Sequence, residues 1–332
     1  MTSVVQVSSP AVGRRVCLVD SGRLNFLEGV SSAYEVIQQA IASGVSASRL
    51  ILDLAGTDQL SYDDVYYGKS VWRLLPPFDH PTDPAHCYVT GTGLTHFSSA
   101  ATRQSMHAVQ TEETDSMRMY RWGLEGGRPA ANDVGAAPEW FYKGDGSILR
   151  AHGDVLTIPS FAEDGGEESE IAGIYLIDND GHPRRVGFAI GNEFSDHLFE
   201  RRNYLYLAHS KLRECALGPE LVLDFDFQNV PGQVRIERSG ETLWEKQIKS
   251  GEKNMVHSLA NMEHHHFKYP THRRPGDVHI HFLGADAFSF GDRIALADHD
   301  IVEISFPLLG RPLRNTIHRE KPADALVKAT PA

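Results

Sequence analysis

Cysteine is scarce in this chain of 332 residues: Cys17, Cys87 and Cys215 are odd in number, far apart and in no CxxC pair. That excludes a disulfide framework and a cysteine-built zinc site, and each thiol reads as a small apolar residue in a reduced compartment. Positive charge is in deficit, with 32 Lys and Arg against 44 Asp and Glu and a formal net charge of -12. Nucleic acid and an anionic membrane are therefore excluded as partners, whereas an anionic substrate stays open because a bound metal can reverse the local field. No apolar run approaches a membrane span, and MTSVVQVSSPAVGRR has no signal-peptide core, so a soluble, cytoplasmic protein is expected. Nucleotide motifs are incomplete. Gly91 and Gly93 lack a third glycine, and Gly68-Lys69-Ser70 is preceded by Asp63 where a phosphate loop begins with glycine. No HExxH spacing occurs.

What is present centres on Phe161 to His197. An acidic segment, EDGGEESE, runs into the apolar IAGIYLI; the turn DNDGHP follows, then VGFAI and Gly191-Asn192-Glu193. Two strands joined by a turn over Asp178–Gly181 are expected. Residues two apart share a face of a strand, so Glu168 and Glu170 aim together. Glu193 leaves the end of the partner strand, where an antiparallel pair brings it alongside. Three crowded carboxylates repel unless a cation sits among them, and all-oxygen ligation suits Mg²⁺ or Mn²⁺. An acidic run is also commonly a solvated loop, and Glu163, Asp164 and Glu167 read as plain surface charge.

Four segments in order resemble the fumarylacetoacetate hydrolase family. EESEIAGIYLI resembles its E-x-E strand, and GFAIGNEFSDH its G-[YF]-x-x-x-[ND]-[DE] segment. HSKLRECALGPEL, His209 to Leu221, resembles K-x-x-[DE]-x-x-x-G-P, and WFYKGDGS, Trp140 to Ser147, resembles F-x-K-P with Gly144 in place of proline. The resemblance covers roughly 85–317. It implies a divalent metal, Mg²⁺ or Mn²⁺, on Glu168, Glu170 and Glu193, with Lys211 beside a bound 2-oxo acid. The third ligand is commonly Asp in that family; Glu193 is one methylene longer. The resemblance also puts Lys143 near the substrate carboxylate, although a lysine among aromatics equally reads as one that snorkels to water. Thr95, His96, Ser98 and Ser99 fall where the family has an Asn-Tyr pair and a His. His96 is thus a candidate acid or base, with a hydrogen-bonded structural role as the alternative, and Ser98 a candidate substrate contact. Ala285, after Gly284, stands where the family has a threonine at the substrate carboxylate.

The expected fold is α+β: a small N-terminal α/β unit over 1–80, a β-rich catalytic domain over 85–320 built as a mixed roll or barrel-like sandwich, and a disordered tail over 321–332. In the first unit, Val16–Val19 reads as a strand, Ser32 and Glu35 as a capping box opening a helix that Gly44 ends, and Leu50–Leu54 as a second strand. Residues 105–137 read as a surface excursion or lid. A helix is expected from Ser195 to Leu212, with Leu198, Leu205 and Leu212 on one stripe, and another from Asn254 to Phe267. LVLDFDF alternates as a strand. Three adjacent histidines, His264–His266, point about 100° apart on a helix and cannot chelate one ion, so they read as structural or interfacial.

A 2-oxo acid chelated through its carboxylate and carbonyl has an acidified C3 proton. With a C4 hydroxyl, loss of water follows; with a C4 ketone, C3–C4 cleavage follows. The wording EESEIAGIYLI, GNEFSDH and YLAHSKL resembles the branch that dehydrates 2-keto-3-deoxy-pentonates to 2,5-dioxopentanoate. A dehydratase of a 2-oxo sugar acid is thus the first expectation, a diketo-acid hydrolase the second, and a non-catalytic metal- or sugar-acid-binding module the third. The resemblance also implies a homodimer, with the 254–269 segment as its interface.

Overall fold

The computed structural model describes residues 1–106, 114–321 and 326–332, with backbone only over 102–106. The N-terminal strands Ser3–Ser9 (β1), Gly13–Asp20 (β2) and Arg23–Leu27 (β3) form an antiparallel meander. Helix Ala33–Ser43 (α1) starts where Ser32 accepts from the Glu35 N–H and stops at Gly44 with φ of 70°. The Leu50–Leu54 run, expected as a strand, instead forms the end of helix Ala47–Leu54 (α2). Ser46 caps that helix, and only Ile51 is fully buried, so the run offers a single stripe rather than a two-faced strand. Strand Ala55–Ser61 (β4), helix Tyr62–Tyr66 (α3) and strand Arg73–Leu75 (β5) follow.

Strand Cys87–Gly93 (β6) leads into helix Phe97–Met106 (α4). The excursion expected over 105–137 lies partly outside the described residues. Its described part carries helix Asp115–Gly126 (α5), whose Tyr120 packs in a small cluster with Leu94 and Val256. Strands Glu139–Asp145 (β7), Leu149–Arg150 (β8), Val155–Ile158 (β9), Ser169–Ile177 (β10) and Pro183–Asn192 (β11) come next. All nine residues of β10 are buried, because this strand is covered on both faces.

The helix expected over 195–212 breaks. His197–Arg202 (α6) ends at Asn203, whose φ is -162° and whose side chain accepts from the Leu205 N–H; Leu207–Lys211 (α7) then restarts. Leu205 and Leu212, expected on a buried stripe, are exposed. Strand Cys215–Leu217 (β12) and strand Leu221–Val222 (β13) follow, and the expected LVLDFDF strand stops there because Asp224 turns left-handed at φ of 52°. Strands Val230–Arg238 (β14) and Glu241–Ser250 (β15), helix Leu259–Phe267 (α8), and strands Val278–Phe282 (β16), Ile301–Ser305 (β17) and Leu313–Arg319 (β18) complete the chain.

The main sheet runs β4-β3-β2-β1-β13-β11-β10-β16-β6-β7, and a second runs β15-β14-β17-β18-β9. Two apolar clusters flank the β10–β11 ladder. One contains Ala172, Ile174, Ala189 and Phe282; the other contains Ile171, Phe188, Ile190 and Phe306 from under the second sheet. The mixed α+β architecture is as expected. The N-terminal strands are continuous with the rest through β1–β13 pairing, and buried Glu220 adds a tie by accepting from Ser3 Oγ, Tyr62 OH and Arg311 N–H. No described helix is long and apolar enough to cross a membrane.

Candidate metal centre

Strand register assembles the three carboxylates. Ser169 pairs with Asn192 and Glu170 with Gly191, so Glu168 and Glu193 sit just beyond the ladder, where Glu193 N–H donates to Glu168 O at 3.0 Å. Glu170 accepts from the Gly284 N–H at 2.7 Å. One oxygen from each of Glu168, Glu170 and Glu193 lies within 4.8 Å of the others, and all three residues are buried.

Buried cations reach the same oxygens. Lys211 Nζ lies 2.5 Å from Glu168 Oε1, 2.6 Å from Glu193 Oε2, 3.0 Å from Ser195 Oγ and 3.4 Å from Glu200 Oε1. Lys143 Nζ lies 2.8 Å from Glu193 Oε1 and donates to the carbonyls of Phe194 and Lys211 at 2.6 and 3.0 Å. Those three contacts turn Lys143 to Glu193 and the backbone, so it does not snorkel and its expected hold on a substrate carboxylate is not what these contacts describe. His197 Nε2 lies 3.1 Å from Glu168 Oε1, and its ring sits near Phe288 and Phe290. Gly166 admits that ring: a Cβ there would stand 2.3 Å from His197 Nδ1.

The charges do not balance. Glu168, Glu170, Glu193 and Glu200 are four buried carboxylates, set against the buried ammonium groups of Lys143 and Lys211 and the imidazole of His197. Burial works against ionised Glu168, but Lys211 and His197 outweigh it and hold that carboxyl well below the usual range. Burial, then Glu193 and Glu168, drive Glu170 well above it, and burial raises Glu193 against the pull of Lys143 and Lys211. His197 is raised, Glu168 outweighing its burial. A divalent cation with oxygen preference fits this set, because Glu168, Glu170 and Glu193 crowd like charge into one buried place and three carboxylates are its usual donors. A second acidic group, Asp178, Asp180 and His182, does not compare: Asp178 is spent on Arg184 and on the N–H groups of its own turn, and the other two are exposed.

The remaining expected residues surround Gly284. Thr95 Oγ1 donates to Leu283 O at 3.0 Å and lies 2.9 Å from His96 Nδ1. The threonine proton is thus committed, Nδ1 carries the imidazole hydrogen, and Nε2 is a buried lone pair with no hydrogen-bond partner. Burial pushes His96 down to about 4, so it is neutral. Ala285 is buried behind Gly284, whose φ of 97° and 1.9 Å approach of Thr95 Oγ1 to a would-be Cβ require glycine. Ser98 is exposed and donates to Asp286 Oδ1 at 2.9 Å, with no described bond to the metal trio. Glu163 is exposed as expected. Asp164 and Glu167 are buried, contrary to expectation, and Glu167 accepts from both N–H and Oγ of Ser289, pinning that loop. His264 is exposed, but His265 bonds Gly135 O and His266 lies buried under Trp140, His272 and His279.

Besides His197, two residues were missed in the sequence. Glu139, Phe141 and Lys143 alternate onto the buried face of β7. The Phe141 ring lies 4.8 Å from Lys211 Nζ, and Glu139 Oε2 accepts from Tyr204 OH at 2.7 Å. The alternation E-W-F-Y-K was the available signal. Glu200 is the other, with no local sign in the sequence. Two clefts, of about 500 Å³ beside Tyr66 and His152 and about 550 Å³ beside Ile41 and Arg185, lie apart from these residues.

No family model matches the chain. A Haloferax volcanii protein named "Probable 2-keto-3-deoxyxylonate dehydratase" is 27% identical over 183 residues, 53% of this chain and 57% of that relative, so little over half of its length is matched. Solved structures of 2-keto-3-deoxy-D-arabinonate dehydratase, one complexed with magnesium and 2,5-dioxopentanoate, superpose with a TM-score of 0.70 at 19% identity, covering 96% of this chain and 99% of theirs. A 5-carboxymethyl-2-hydroxymuconate delta-isomerase from Mycobacterium smegmatis gives 0.58 at 15% identity, covering 96% and 100%. The chain shares the fold of these enzymes.

Proposed function

We propose that this chain is a metal-dependent hydro-lyase that converts a 2-keto-3-deoxy-pentonate to 2,5-dioxopentanoate. The carrying observation is the trio Glu168, Glu170 and Glu193, buried with one oxygen of each within 4.8 Å of the others, on a fold shared with a dehydratase solved with magnesium and that product. The named relative supports the same reading. A divalent cation held by the three carboxylates would polarise the 2-oxo group and favour loss of the C3 proton. The C3 proton and C4 hydroxyl then leave as water, and tautomerisation of the remaining allylic alcohol gives the C5 aldehyde.

The chain's own residues have distinct parts. Lys211 binds the substrate carboxylate, with the Phe141 ring fixing one side of its ammonium. Glu139 and the bare Nε2 of His96 are the two candidates to take the C3 proton. Lys143 opposes the effect of burial on Glu193 and holds its carboxylate in place. The hydrolase reading needs a His–Glu pair to activate water, and it has less support because His96 Nδ1 bonds Thr95 and the His–Glu pair that is present, His197–Glu168, engages a candidate metal ligand. The same proposal includes a cytoplasmic homodimer; with His265 and His266 internal, contacts near α8 would fall to His264 and Tyr269.

Purified protein given both C4 epimers of 2-keto-3-deoxy-pentonate with Mg²⁺ should release 2,5-dioxopentanoate, followed by NMR, and EDTA should stop it. Pyruvate from acylpyruvates would point instead to C–C hydrolysis, and binding without turnover to a sensing module.

A further inference from the structure

Lys211 and a divalent cation would compete for the same two oxygens. In the structure the ammonium touches Glu168 Oε1 and Glu193 Oε2, both in the candidate metal set. Two like charges cannot share those atoms at full strength in a buried site. Its two other polar contacts described above are Ser195 Oγ, which is neutral, and Glu200 Oε1, at 3.0 and 3.4 Å. Among these four partners, Glu200 is the charged one outside the metal set.

The two helices make this arrangement local. Glu200 stands on α6 and Lys211 on α7, and the Asp196 N–H donates to Ser210 O at 3.2 Å, tying the start of α6 to the end of α7. Ser210 Oγ donates to Glu200 Oε1 at 2.7 Å, holding the carboxylate toward the neighbouring ammonium. Glu200 itself is buried, held by Ser210 Oγ and facing Lys211 Nζ. A buried carboxylate placed there would be costly without a function for its charge.

We propose that Glu200 is a positioning residue that takes over the Lys211 ammonium when a divalent cation occupies Glu168 and Glu193. It thereby lowers the competition between lysine and metal and leaves Lys211 charged and aimed for a substrate carboxylate. This rests on the metal-site reading above.

The test is Mn²⁺ titration by calorimetry on the full chain and the variants E200Q, E200D, K211M and E200Q/K211M. With Lys211 present, E200Q should bind Mn²⁺ about tenfold more weakly, because the ammonium keeps hold of the metal oxygens. In the K211M background the same substitution should change affinity by less than about twofold, and E200D should restore most of the loss. Equal weakening in both backgrounds would mean that Glu200 acts only through its field and would overturn the proposal, as would no weakening in either. If E200Q does not fold, shown by a missing thermal transition, S210A replaces it. That variant keeps the charge but loses its anchor, and it should weaken Mn²⁺ binding only where Lys211 is present. Absence of Mn²⁺ binding by the unaltered chain would overturn the metal reading itself, a result separable from a failed coupling.

Discussion

At the scale of single residues, Glu170 is the carboxyl most strained by its surroundings. It is buried, close to Glu168 and Glu193, and helped chiefly by one backbone N–H. Without a cation its repulsion burdens the fold; with one it becomes a ligand. E170Q should therefore act in opposite directions on two measurements. Mn²⁺ affinity should fall by about a hundredfold or more, since one of three charged donors is gone. The metal-free thermal midpoint should hold or rise, because the neutral amide removes like-charge crowding and retains an acceptor for Gly284. Calorimetry and scanning fluorimetry on the same sample check both halves. A fall in metal-free stability would show that Glu170 holds the loop through its charge rather than suffering from it.

At the scale of elements, the metal trio depends on how the β10–β11 hairpin meets the Gly284 turn. Gly284 donates to Glu170 while Thr95 Oγ1 fills the space where a Cβ would be, and Thr95 in turn carries His96. G284A should destabilise the protein by about 2 kcal/mol from the left-handed φ and the clash together, and weaken Mn²⁺ binding by moving the donor to Glu170. Urea midpoints and calorimetry measure the two effects. The hairpin itself was legible: β10 has an unbroken apolar run, and parity alone puts Glu168 and Glu170 on one side. Lys211 was legible only through the family resemblance, since its local helix says no more than a C-terminal cation. The Leu50–Leu54 helix was misread because five apolar-rich residues have no period of their own, and the deciding signal was the cap at Ser46. Asp164, Glu167 and Glu200 were illegible for a different reason: their burial comes from α6, α7 and the Ser289 loop, which sequence-local patterns do not place. Glu139 was legible in principle, two steps from Lys143 along one face of β7.

At the scale of the molecule, burial of neutral imidazoles links the whole fold to pH. His152 and His257 are pushed down to about 4 and His279 and His281 to about 3, in each case chiefly by burial. His279 and His281 stand together on β16 against His266, and the other two lie elsewhere. His152 stacks on Tyr66 beside β18, His257 faces α5, and His281 sits between Thr90 and Thr92 on the aromatic side of β16. In the unfolded chain each takes a proton near pH 6.5, whereas in the folded chain it stays neutral down to about 3 or 4. The unfolded state therefore binds more protons across that window, and each such histidine removes about 1.4 kcal/mol of stability per pH unit as the pH falls through it. His197 runs the other way, since Glu168 favours its charged form, and so do Glu170 and Glu193, whose carboxyls are raised chiefly by burial. Urea midpoints measured in the presence of EDTA, so that metal release does not contribute, should be nearly flat above pH 7 and fall steeply from pH 6 to 4.5. H281N should lose stability at pH 7.5, because both threonine contacts change, but its slope below pH 6 should be shallower by about one proton. An unchanged slope in H281N would mean that His281 already exchanges its proton in the folded state and that its strand opens locally before the sheet does.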